Sequence, residues 1–409
     1  MPKLTDLIFE DDSSCTSIGT YAFYNSTNLT SLTIPSSITT INTYAFYGPI
    51  GLTEIEFNAI AMNDAAATNN IFYNSGRGGD GIDVTIGANV TKLPASLFYP
   101  TTTKSSTPKL NSVTFEEGSV CSSIGSNVFR GCTTLTSFEI PSTITSIGTN
   151  PFTACPNIIL TIAEGNTAYY VEGNCLIDSN LKELIAGFVT SVIPSDIKSI
   201  KTFAFYEIIG LTSITIPMDV ASIGTFAFQG CSDVTEINFN ATELKDFNIL
   251  LSAFNGCGSN GDGITMNVGS NVTKIPAYMF GSFGNNKAKI KNVIFAEESH
   301  LVSIGASAFS GCTTIESIIN IPSSVTTIGS SAFKNVTGYL LCENTTVAEL
   351  VVSATGTNIY VLDSDFDATY IDFTVLEIGL INGTYTDELT GAITLRVGEE
   401  DNYTYYQKF

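Results

Sequence analysis

The chain has 409 residues, and its 17 lysines and arginines against 39 aspartates and glutamates give a formal net charge of −22. A single hydrophobic core rarely reaches this size, so the length predicts several domains or a repeat array. The acidic balance argues against nucleic acid as a partner, because neutralising phosphates requires clustered Lys and Arg side chains.

The sequence contains no segment typical of membrane insertion or secretion. No run of about 18 apolar residues occurs, so no transmembrane helix is expected. The start lacks the basic and apolar regions of a secretory signal, which leaves a cytoplasmic location as the alternative to a signal removed upstream. Because residues 4–9 already match a repeat strand, we expect coils or a signal to precede Met1 in the native protein.

One pattern, L-x-x-L-x-I-P-x-x-I-x-x-I-G-x-x-A-F, recurs along most of the chain and is clearest at 29–46, 135–152 and 211–228. Spacings between the closing Phe residues are 23 to 31, except for one of 53. These residues are Phe23, Phe46, Phe72, Phe98, Phe129, Phe152, Phe205, Phe228, Phe254, Phe280, Phe309 and Phe333. The segment at 80–98 also matches 262–280 at a shift of 182, so the array is a duplicated block of several coils.

A period of this length cannot bury its apolar edge within one unit, so the units must stack. Residues 29–34 alternate as a strand, and Pro35 follows at a corner where no ladder N–H is needed. The pattern then reaches a Gly or Asn position, which predicts a tight turn with positive φ there; its members are Asn42, Gly148, Gly224 and Gly329. The closing Phe is expected to fill the interior, and neighbouring coils to pair as parallel strands.

The I-G-x-x-A-F and L-T-S-[LI]-x-I-P elements, as they stand at 18–23, 211–217 and 304–309, resemble the BspA-like leucine-rich repeats of bacterial and protist surface antigens. The resemblance covers roughly residues 4 to 345. It implies a mainly β, right-handed solenoid of roughly 12 to 14 coils with short parallel strands. At the level of function it implies attachment to host proteins or to other cells.

The expected organisation is a first repeat block at 1–162, an irregular island at 163–188, a second block at 189–345 and a C-terminal cap with an acidic β tail at 346–409. A short helix at 345–354 is expected to close the apolar end. In the tail, alternation predicts strands at 369–376, 392–397 and 403–406.

The repeat places most of the cysteines at positions typical of core residues rather than of a reactive or metal-binding site. Five members occupy one column, three residues after a closing Phe, where other coils carry Ser, Thr or Val; they are Cys132, Cys155, Cys231, Cys257 and Cys312. Such a column predicts small buried thiols, with disulfides between adjacent coils as the alternative. The total of nine cysteines is odd, and no C-x-x-C spacing for a metal occurs.

Catalytic and metal-binding candidates are equally sparse. His300 is the sole histidine and lies in a variable loop, so no Ser–His or Cys–His mechanism is expected. Acidic pairs recur at 10–12, 116–117 and 297–298, which is typical of solvated corners rather than of a catalytic acid and base. Asp363, Asp365 and Asp367 have the alternate spacing of a calcium loop, but Ala368 replaces the turn glycine. They remain a weak calcium candidate beside a plain acidic linker, and no cofactor is expected.

The residue after the closing Phe is tyrosine in four successive coils and once later: Tyr24, Tyr47, Tyr73, Tyr99 and Tyr206. Since the Phe points inward, its neighbour is expected to point outward, and stacking predicts a tyrosine stripe along one edge. The stripe is either a stabilising stack of partly buried rings or a docking surface, since tyrosine is enriched at binding hot spots. Later coils carry Gln229, Asn255, Ser310 or Lys334 at this position, which favours a binding role.

These observations favour a non-enzymatic adhesin or antigen, at a cell surface or secreted, that binds an extracellular protein or glycan and does not insert into a membrane. The function depends mainly on the resemblance. A structural spacer or a self-associating subunit of a surface appendage is the first alternative, and a hydrolase using two carboxylates is the second.

Overall fold

The structure is a computed structural model, and it describes residues 4–10, 13–99, 106–247, 252–281, 287–315, 318–336 and 339–342, with strands at 359–362, 384–386, 393–399 and 402–408. The chain forms two compact units. The first comprises Met1–Leu211 with Phe226–Phe228, and the second comprises Thr212–Thr225 with Gln229–Phe409.

The first unit consists of short strands, one 3₁₀ turn at Ala67–Asn69 and the turns between them. The strands are β1 (Asp6–Leu7), β2 (Ser17–Ile18), β3 (Ser31–Ile34), β4 (Thr40–Ile41), β5 (Glu54–Phe57), β6 (Ile82–Ile86), β7 (Lys92–Leu93), β8 (Leu110–Phe115), β9 (Ser123–Ile124), β10 (Ser137–Ile140), β11 (Ser146–Ile147), β12 (Ile159–Ile162), β13 (Tyr169–Glu172), β14 (Cys175–Asp178), β15 (Glu183–Ala186) and β16 (Ser199–Ile200).

The second unit repeats this arrangement and ends in longer strands. Its strands are β17 (Ser213–Ile216), β18 (Ser222–Ile223), β19 (Glu236–Phe239), β20 (Ile264–Val268), β21 (Lys274–Ile275), β22 (Ile290–Phe295), β23 (Ser303–Ile304), β24 (Ile318–Ile321), β25 (Thr327–Ile328), β26 (Tyr339–Cys342), β27 (Ile359–Leu362), β28 (Thr384–Thr386), β29 (Ile393–Glu399) and β30 (Asn402–Lys408).

Coils stack in register through parallel ladders, which confirms the predicted mainly β solenoid. In the first unit the main sheet has the order β1-β3-β5-β6-β8, and β10 pairs with β12. A second face is formed by the two-residue strands, in the orders β2-β4 and β7-β9-β11. In β3 the side chains of Leu32 and Ile34 are buried and those of Ser31 and Thr33 are half-buried, because alternate residues of a strand point to opposite sides of the sheet.

The closing phenylalanines form a stacked interior column, as predicted. Phe46 is fully buried, and its ring centroid lies 5.2 Å from that of Phe23 and 5.4 Å from that of Phe72. In the second unit the Phe309 and Phe333 rings stack at 5.4 Å. Each coil therefore completes its core only by contact with its neighbours.

The predicted positive φ at the Gly or Asn position is wrong. None of Asn42, Gly148, Gly224 and Gly329 has a positive φ. Left-handed residues instead flank the closing Phe, two positions before it and two positions after it. The first group is Tyr21, Tyr44, Asn70, Ser96, Asn127, Asn150, Phe203, Phe226, Tyr278, Ser307 and Ser331; the second is Asn25, Gly48, Asn74, Gly131, Ala154, Glu207, Gly230, Gly256, Gly311 and Asn335.

Glycine occupies that position because neighbouring coils approach closely. A Cβ atom at Gly148 would lie 2.5 Å from the backbone nitrogen of Ser126, and one at Gly329 would clash with the backbone nitrogen of Ala306. Both obstructing atoms belong to backbone and cannot move aside. Asn42 occupies this position in the second coil, and its Nδ2 donates a hydrogen bond to the Ile18 carbonyl at 2.9 Å.

The segment at 163–188 interrupts the parallel array with antiparallel strands. β13 pairs with β14 and β14 with β15, after which β15 returns to parallel pairing with β16. The Tyr169 hydroxyl accepts a hydrogen bond from the Ile147 N–H at 3.0 Å, which attaches the segment to the preceding coil. The predicted block boundaries around this island stay a prediction.

In the second unit the main sheet runs β17-β19-β20-β22, and the two-residue strands pair as β21-β23-β25. A further sheet has the order β24-β26-β27-β30-β29-β28, in which β29 and β30 are antiparallel. Strands predicted at 392–397 and 403–406 are confirmed by β29 and β30. The predicted helix at 345–354 and strand at 369–376 lie outside the described residues.

Candidate ligand-binding surface

Each tyrosine of the predicted stripe follows a closing Phe, and Tyr24, Tyr47, Tyr73 and Tyr206 lie in turns between two left-handed residues. In the second coil, Tyr44 and Gly48 have φ values of 54° and 77°. This turn directs Phe46 into the core, where it is fully buried, and leaves Tyr47 half-buried at the surface. The turn therefore sorts two adjacent aromatic side chains to opposite sides of the chain.

Three tyrosines of the stripe form one continuous stack. The ring centroids of Tyr24 and Tyr47 are 4.6 Å apart and the planes differ by 16°. Tyr47 and Tyr73 follow at 4.8 Å and 8°. The spacing matches that of neighbouring β-strands, because the coil rise sets both.

A second row of tyrosines lies beside this stack. Tyr21 stacks on Tyr44 at 5.4 Å, and each packs edge-on against the first row, Tyr21 against Tyr24 at 5.4 Å and Tyr44 against Tyr47 at 5.5 Å. Tyr21 and Tyr44 are absent from the predicted site. The T-Y-A-F-Y repeats at 20–24 and 43–47 were the signal that could have identified them.

We call Tyr21, Tyr24, Tyr44, Tyr47 and Tyr73 the tyrosine patch. Tyr21 is 52% exposed and Tyr24 39% exposed. Within the stack Tyr24 and Tyr73 cover both faces of the Tyr47 ring, and the residue is half-buried. Burial, together with the nearby Tyr24 and Tyr73, raises the pKa of Tyr47, and the phenol stays a neutral hydrogen-bond donor at physiological pH.

The turns that carry the patch contain no charged residue. Segments 19–28, 42–51 and 68–76 lack Asp, Glu, Lys and Arg, although the chain carries a net charge of −22. The main sheet of the same unit is acidic by contrast, with Glu54 opposite Asp83 on adjacent strands. A partner docking on the patch would contact aromatic edges, hydroxyls and amides rather than charged side chains.

Tyr99 and Tyr206, the remaining members of the predicted stripe, lie around a cation. The guanidinium carbon of Arg130 is 4.9 Å from the Tyr99 ring centroid and 5.5 Å from that of Tyr206. Burial and then the adjacent Glu207 carboxylate raise the pKa of Tyr206. The structure thus divides the five tyrosines into a stack of three and a Tyr–Arg–Tyr sandwich.

The cysteines have the geometry of core residues. All nine are free thiols, and Cys132, Cys155, Cys231, Cys257 and Cys312 are buried. Burial raises the pKa of Cys155 and of Cys312 to about 12, which makes both poor nucleophiles near neutral pH.

The other candidates do not assemble into a site within the described residues. His300 is exposed, and its Nδ1 lies 3.1 Å from the Ser270 carbonyl oxygen. Glu116 and Glu117 are exposed, as are Glu297 and Glu298. In the described part of the chain no three His, Cys, Asp or Glu side chains are grouped as metal ligands, and Asp363, Asp365 and Asp367 lie outside that part.

Among the residues whose structure is described, no helix has the length and apolar character needed to cross a membrane.

Comparison with known proteins identifies the repeat. The family model described as "BspA type Leucine rich repeat region (6 copies)" matches residues 2–108, 101–187, 185–297 and 281–347. No curated protein matches the chain.

Three solved structures are similar to the chain. The pneumococcal vaccine antigen PcpA is 18% identical, with 84% of each chain covered and a TM-score of 0.46. A leucine-rich cell surface protein from Faecalibacterium prausnitzii A2-165 is 24% identical, with 84% of this chain and 86% of that chain covered and a TM-score of 0.44. A leucine-rich repeat protein from Bacteroides ovatus ATCC 8483 is 18% identical, with 85% and 88% covered and a TM-score of 0.43.

Proposed function

The chain belongs to the BspA type leucine-rich repeat family, and from this premise we propose that it is a non-enzymatic adhesin or antigen of a cell surface. Its tyrosine patch binds an extracellular protein or glycan. The observation that carries the proposal is the patch itself: five tyrosines in contact on three successive coils, within turns that hold no charged residue.

Tyrosine suits a docking surface because it offers a large contact area and a hydrogen-bonding hydroxyl while losing few rotatable bonds. In the patch the rings are already ordered by one another, so binding costs little further side-chain entropy. The covered ring faces restrict a partner to the edges and hydroxyls of the inner rings. Tyr21 and Tyr24 are the exposed members of the patch and offer aromatic contact to a partner.

Stacking of coils does not by itself require these tyrosines. Later coils of the same array place Gln229, Asn255, Ser310 or Lys334 in the same column and still bury their closing Phe residues. A tyrosine in each of the first three coils is therefore an addition to a fold that forms without it, which supports a role in recognition.

The test is binding of the purified chain to immobilised fibronectin, collagen, fibrinogen and mucin, with deglycosylated mucin to separate glycan from polypeptide. The variant carries Tyr24→Ala, Tyr47→Ala and Tyr73→Ala. Its matched control carries Gln229→Ala and Ser310→Ala, which truncate the same column in later coils. Circular dichroism establishes that each variant is folded.

We expect saturable binding that falls at least tenfold in the tyrosine variant and is unchanged in the control. A Tyr→Phe version of the triple variant shows whether the hydroxyls or the rings carry the affinity. Binding that survives the tyrosine variant would assign the ligand to another surface. No binding to any of the immobilised molecules, with self-association in solution, would favour the alternative of a structural spacer or appendage subunit.

The surface location is part of the same proposal. Labelling of intact cells with a membrane-impermeant biotin reagent should modify this protein and leave a cytoplasmic marker unlabelled. Recovery of the protein only from lysed cells would contradict the location.

A further inference from the structure

A second surface of the first unit, separate from the tyrosine patch, is a groove along the corner where the chain leaves the main sheet. Two cavities of about 570 Å³ and about 320 Å³ lie end to end there. Both are lined by Glu116, so the two cavities meet at this residue and together follow the corner. We call this surface the corner groove.

Small and rigid corner residues create this groove. Pro35, Asn58 and Gly87 line it in three successive coils, and Pro141 lies beyond the coil of Glu116. At Gly87 a Cβ atom would clash with the Asn58 side-chain oxygen, so this position cannot carry a side chain without displacing its neighbour.

The larger cavity lies beside a break in the main sheet. β8 and β10 belong to separate sheets, although they occupy successive coils. The Thr134 hydroxyl donates to the Leu110 carbonyl at 2.7 Å and so joins the two coils where the ladder does not. The half-buried Phe115 lies at this break and contributes an apolar wall.

The charges that line the groove have one sign. Glu10, Glu116 and Glu139 are exposed and line it, and among the described lining residues there is no Lys or Arg. Glu116 is held in place, because its carboxylate accepts the Ala88 N–H at 2.8 Å. At the corresponding positions of the second block the chain has Ala296 and Asn320 in place of Glu116 and Glu139. Glu116 and Glu139 are thus not repeated at the corresponding positions of the second block.

Apolar side chains stand between these carboxylates. Phe9 and Phe115 are half-buried and Ile60 is 39% exposed. This alternation matches the side chains of lysine and arginine, whose aliphatic stems cover apolar surface while the charged ends reach an acid. The groove crosses about seven coils, or roughly 30 Å, which is the length of about nine residues of extended chain.

We propose that the corner groove binds an extended polypeptide segment that carries several lysines or arginines. The partner chain lies along the groove with its cationic ends on Glu10, Glu116 and Glu139. The site is independent of the tyrosine patch, so either surface can fail its test without affecting the other.

The probe is a fluorescein-labelled peptide of eight lysines, followed by fluorescence anisotropy at low ionic strength, with an octamer of alternating glycine and serine for comparison. The variant carries Glu116→Gln and Glu139→Gln; glutamine keeps the acceptor for Ala88. The matched control carries Glu297→Gln and Glu298→Gln, which removes the same charge from an acidic corner of the second block. A third variant, Ser142→Trp, fills the exposed edge of the larger cavity without changing charge.

We expect the lysine peptide to bind saturably and the neutral peptide not to bind. The groove variant and Ser142→Trp should each weaken binding about fivefold, and the control should remain within a factor of two of the unmodified chain. Equal weakening by the groove variant and the control would overturn the proposal, because the peptide would then respond only to net charge. Unchanged affinity in both groove variants would overturn it as well.

Discussion

The carboxylate of Asp64 lies 2.9 Å from the ammonium nitrogen of Lys92. The same oxygen accepts the Ala95 N–H at 2.8 Å, so one side chain attaches the insertion after β5 to the following coil. The arrangement recurs 182 residues later, where Asp246 pairs with Lys274 at 2.7 Å and accepts the Ala277 N–H at 2.8 Å. The duplicated block thus preserves an ionic contact together with the fold.

This contact predicts a pH dependence. Hydrogen bonds from Lys92 and then Ala95 lower the pKa of Asp64. For Asp246, burial acts to raise the pKa, but the hydrogen bonds from Lys274 and Ala277 outweigh it and the net shift is downward. Because each carboxyl has a lower pKa in the folded chain, its stabilisation is fully present above the unfolded value near 4 and is lost as pH falls through the folded value.

The double variant Asp64→Asn and Asp246→Asn should therefore unfold with a shallower pH dependence between pH 5 and pH 2. Both pairs are partly exposed, so each contributes only about 0.5 kcal/mol at low salt. Thermal unfolding followed by circular dichroism across this range measures the difference. Glu117→Gln is the control for loss of one exposed charge, and identical pH profiles for the double variant and the unmodified chain would contradict the expectation.

Tyr47→Ala should destabilise the first unit, because Tyr47 is the central ring of the stack. The change removes the contacts with Tyr24 and Tyr73, each worth about 0.5–1.5 kcal/mol beyond the loss of buried area. Urea unfolding followed by near-ultraviolet circular dichroism measures the effect. Tyr47→Phe keeps both ring contacts and should unfold close to the unmodified chain; equal losses for the two variants would assign the effect to the hydroxyl.

Arg130→Met should lower the stability of the first unit, because Arg130 contacts the rings of both Tyr99 and Tyr206. The side chain keeps its length but loses the cation between the two rings, at an expected cost of about 1–2 kcal/mol. Arg130→Lys retains the charge without the planar guanidinium, and we expect a smaller loss. Thermal unfolding compares the stability of the unmodified chain and the two variants. A methionine variant as stable as the unmodified chain would show that the Tyr–Arg–Tyr contact adds nothing to stability.

Gly125→Ala tests the close approach of neighbouring coils. A Cβ atom at Gly125 would lie 2.5 Å from the Ala95 backbone nitrogen, which predicts a loss of about 1–3 kcal/mol. Gly19 occupies the same column in an earlier coil, and a Cβ atom there would meet no other atom within 4 Å, so Gly19→Ala is the matched control. Denaturant midpoints of the two variants should differ, and equal midpoints would contradict the steric explanation.

Thiol reactivity should follow burial. With a pKa of about 12, the Cys155 thiol is ionised to only about one part in ten thousand at pH 8. Iodoacetamide labelling of the native chain, analysed by mass spectrometry of peptides, should modify the half-buried Cys15 and leave Cys155 and Cys312 intact. Unfolding in guanidinium should expose all nine thiols, and rapid native labelling of Cys155 would show that the coil opens around it.

The strands and the interior column were predictable because burial repeats with the period of the coil. Leu32 and Ile34 alternate with polar residues, and Phe46 recurs at a fixed distance, so both patterns are visible in one chain. The left-handed column two residues before the Phe was not predictable from glycine, since it holds Tyr44, Asn70, Ser96 and other residues with side chains. The glycine column that includes Gly148 and Gly329 instead indicates close contact between the backbones of neighbouring coils.

The candidate site was predictable only in part. A column position predicts that Tyr24 and Tyr47 are neighbours, because the coil rise is constant. It does not predict the edge-on packing of Tyr21, which depends on the turn geometry, or the Arg130 sandwich, which joins Tyr99 to Tyr206 from a coil much later in the sequence.

Pairing of each coil only with its neighbours has a mechanical consequence. Tension applied to a chain end loads the hydrogen bonds of the outermost coil alone, so coils peel away in turn instead of yielding together. Apart from the unit that contains the island, each detached coil releases 23 to 31 residues, or roughly 75–110 Å of extended chain. Under a steady pull, the protein would therefore lengthen in discrete steps and dissipate work at each one, while the coils that remain stacked keep their surfaces intact.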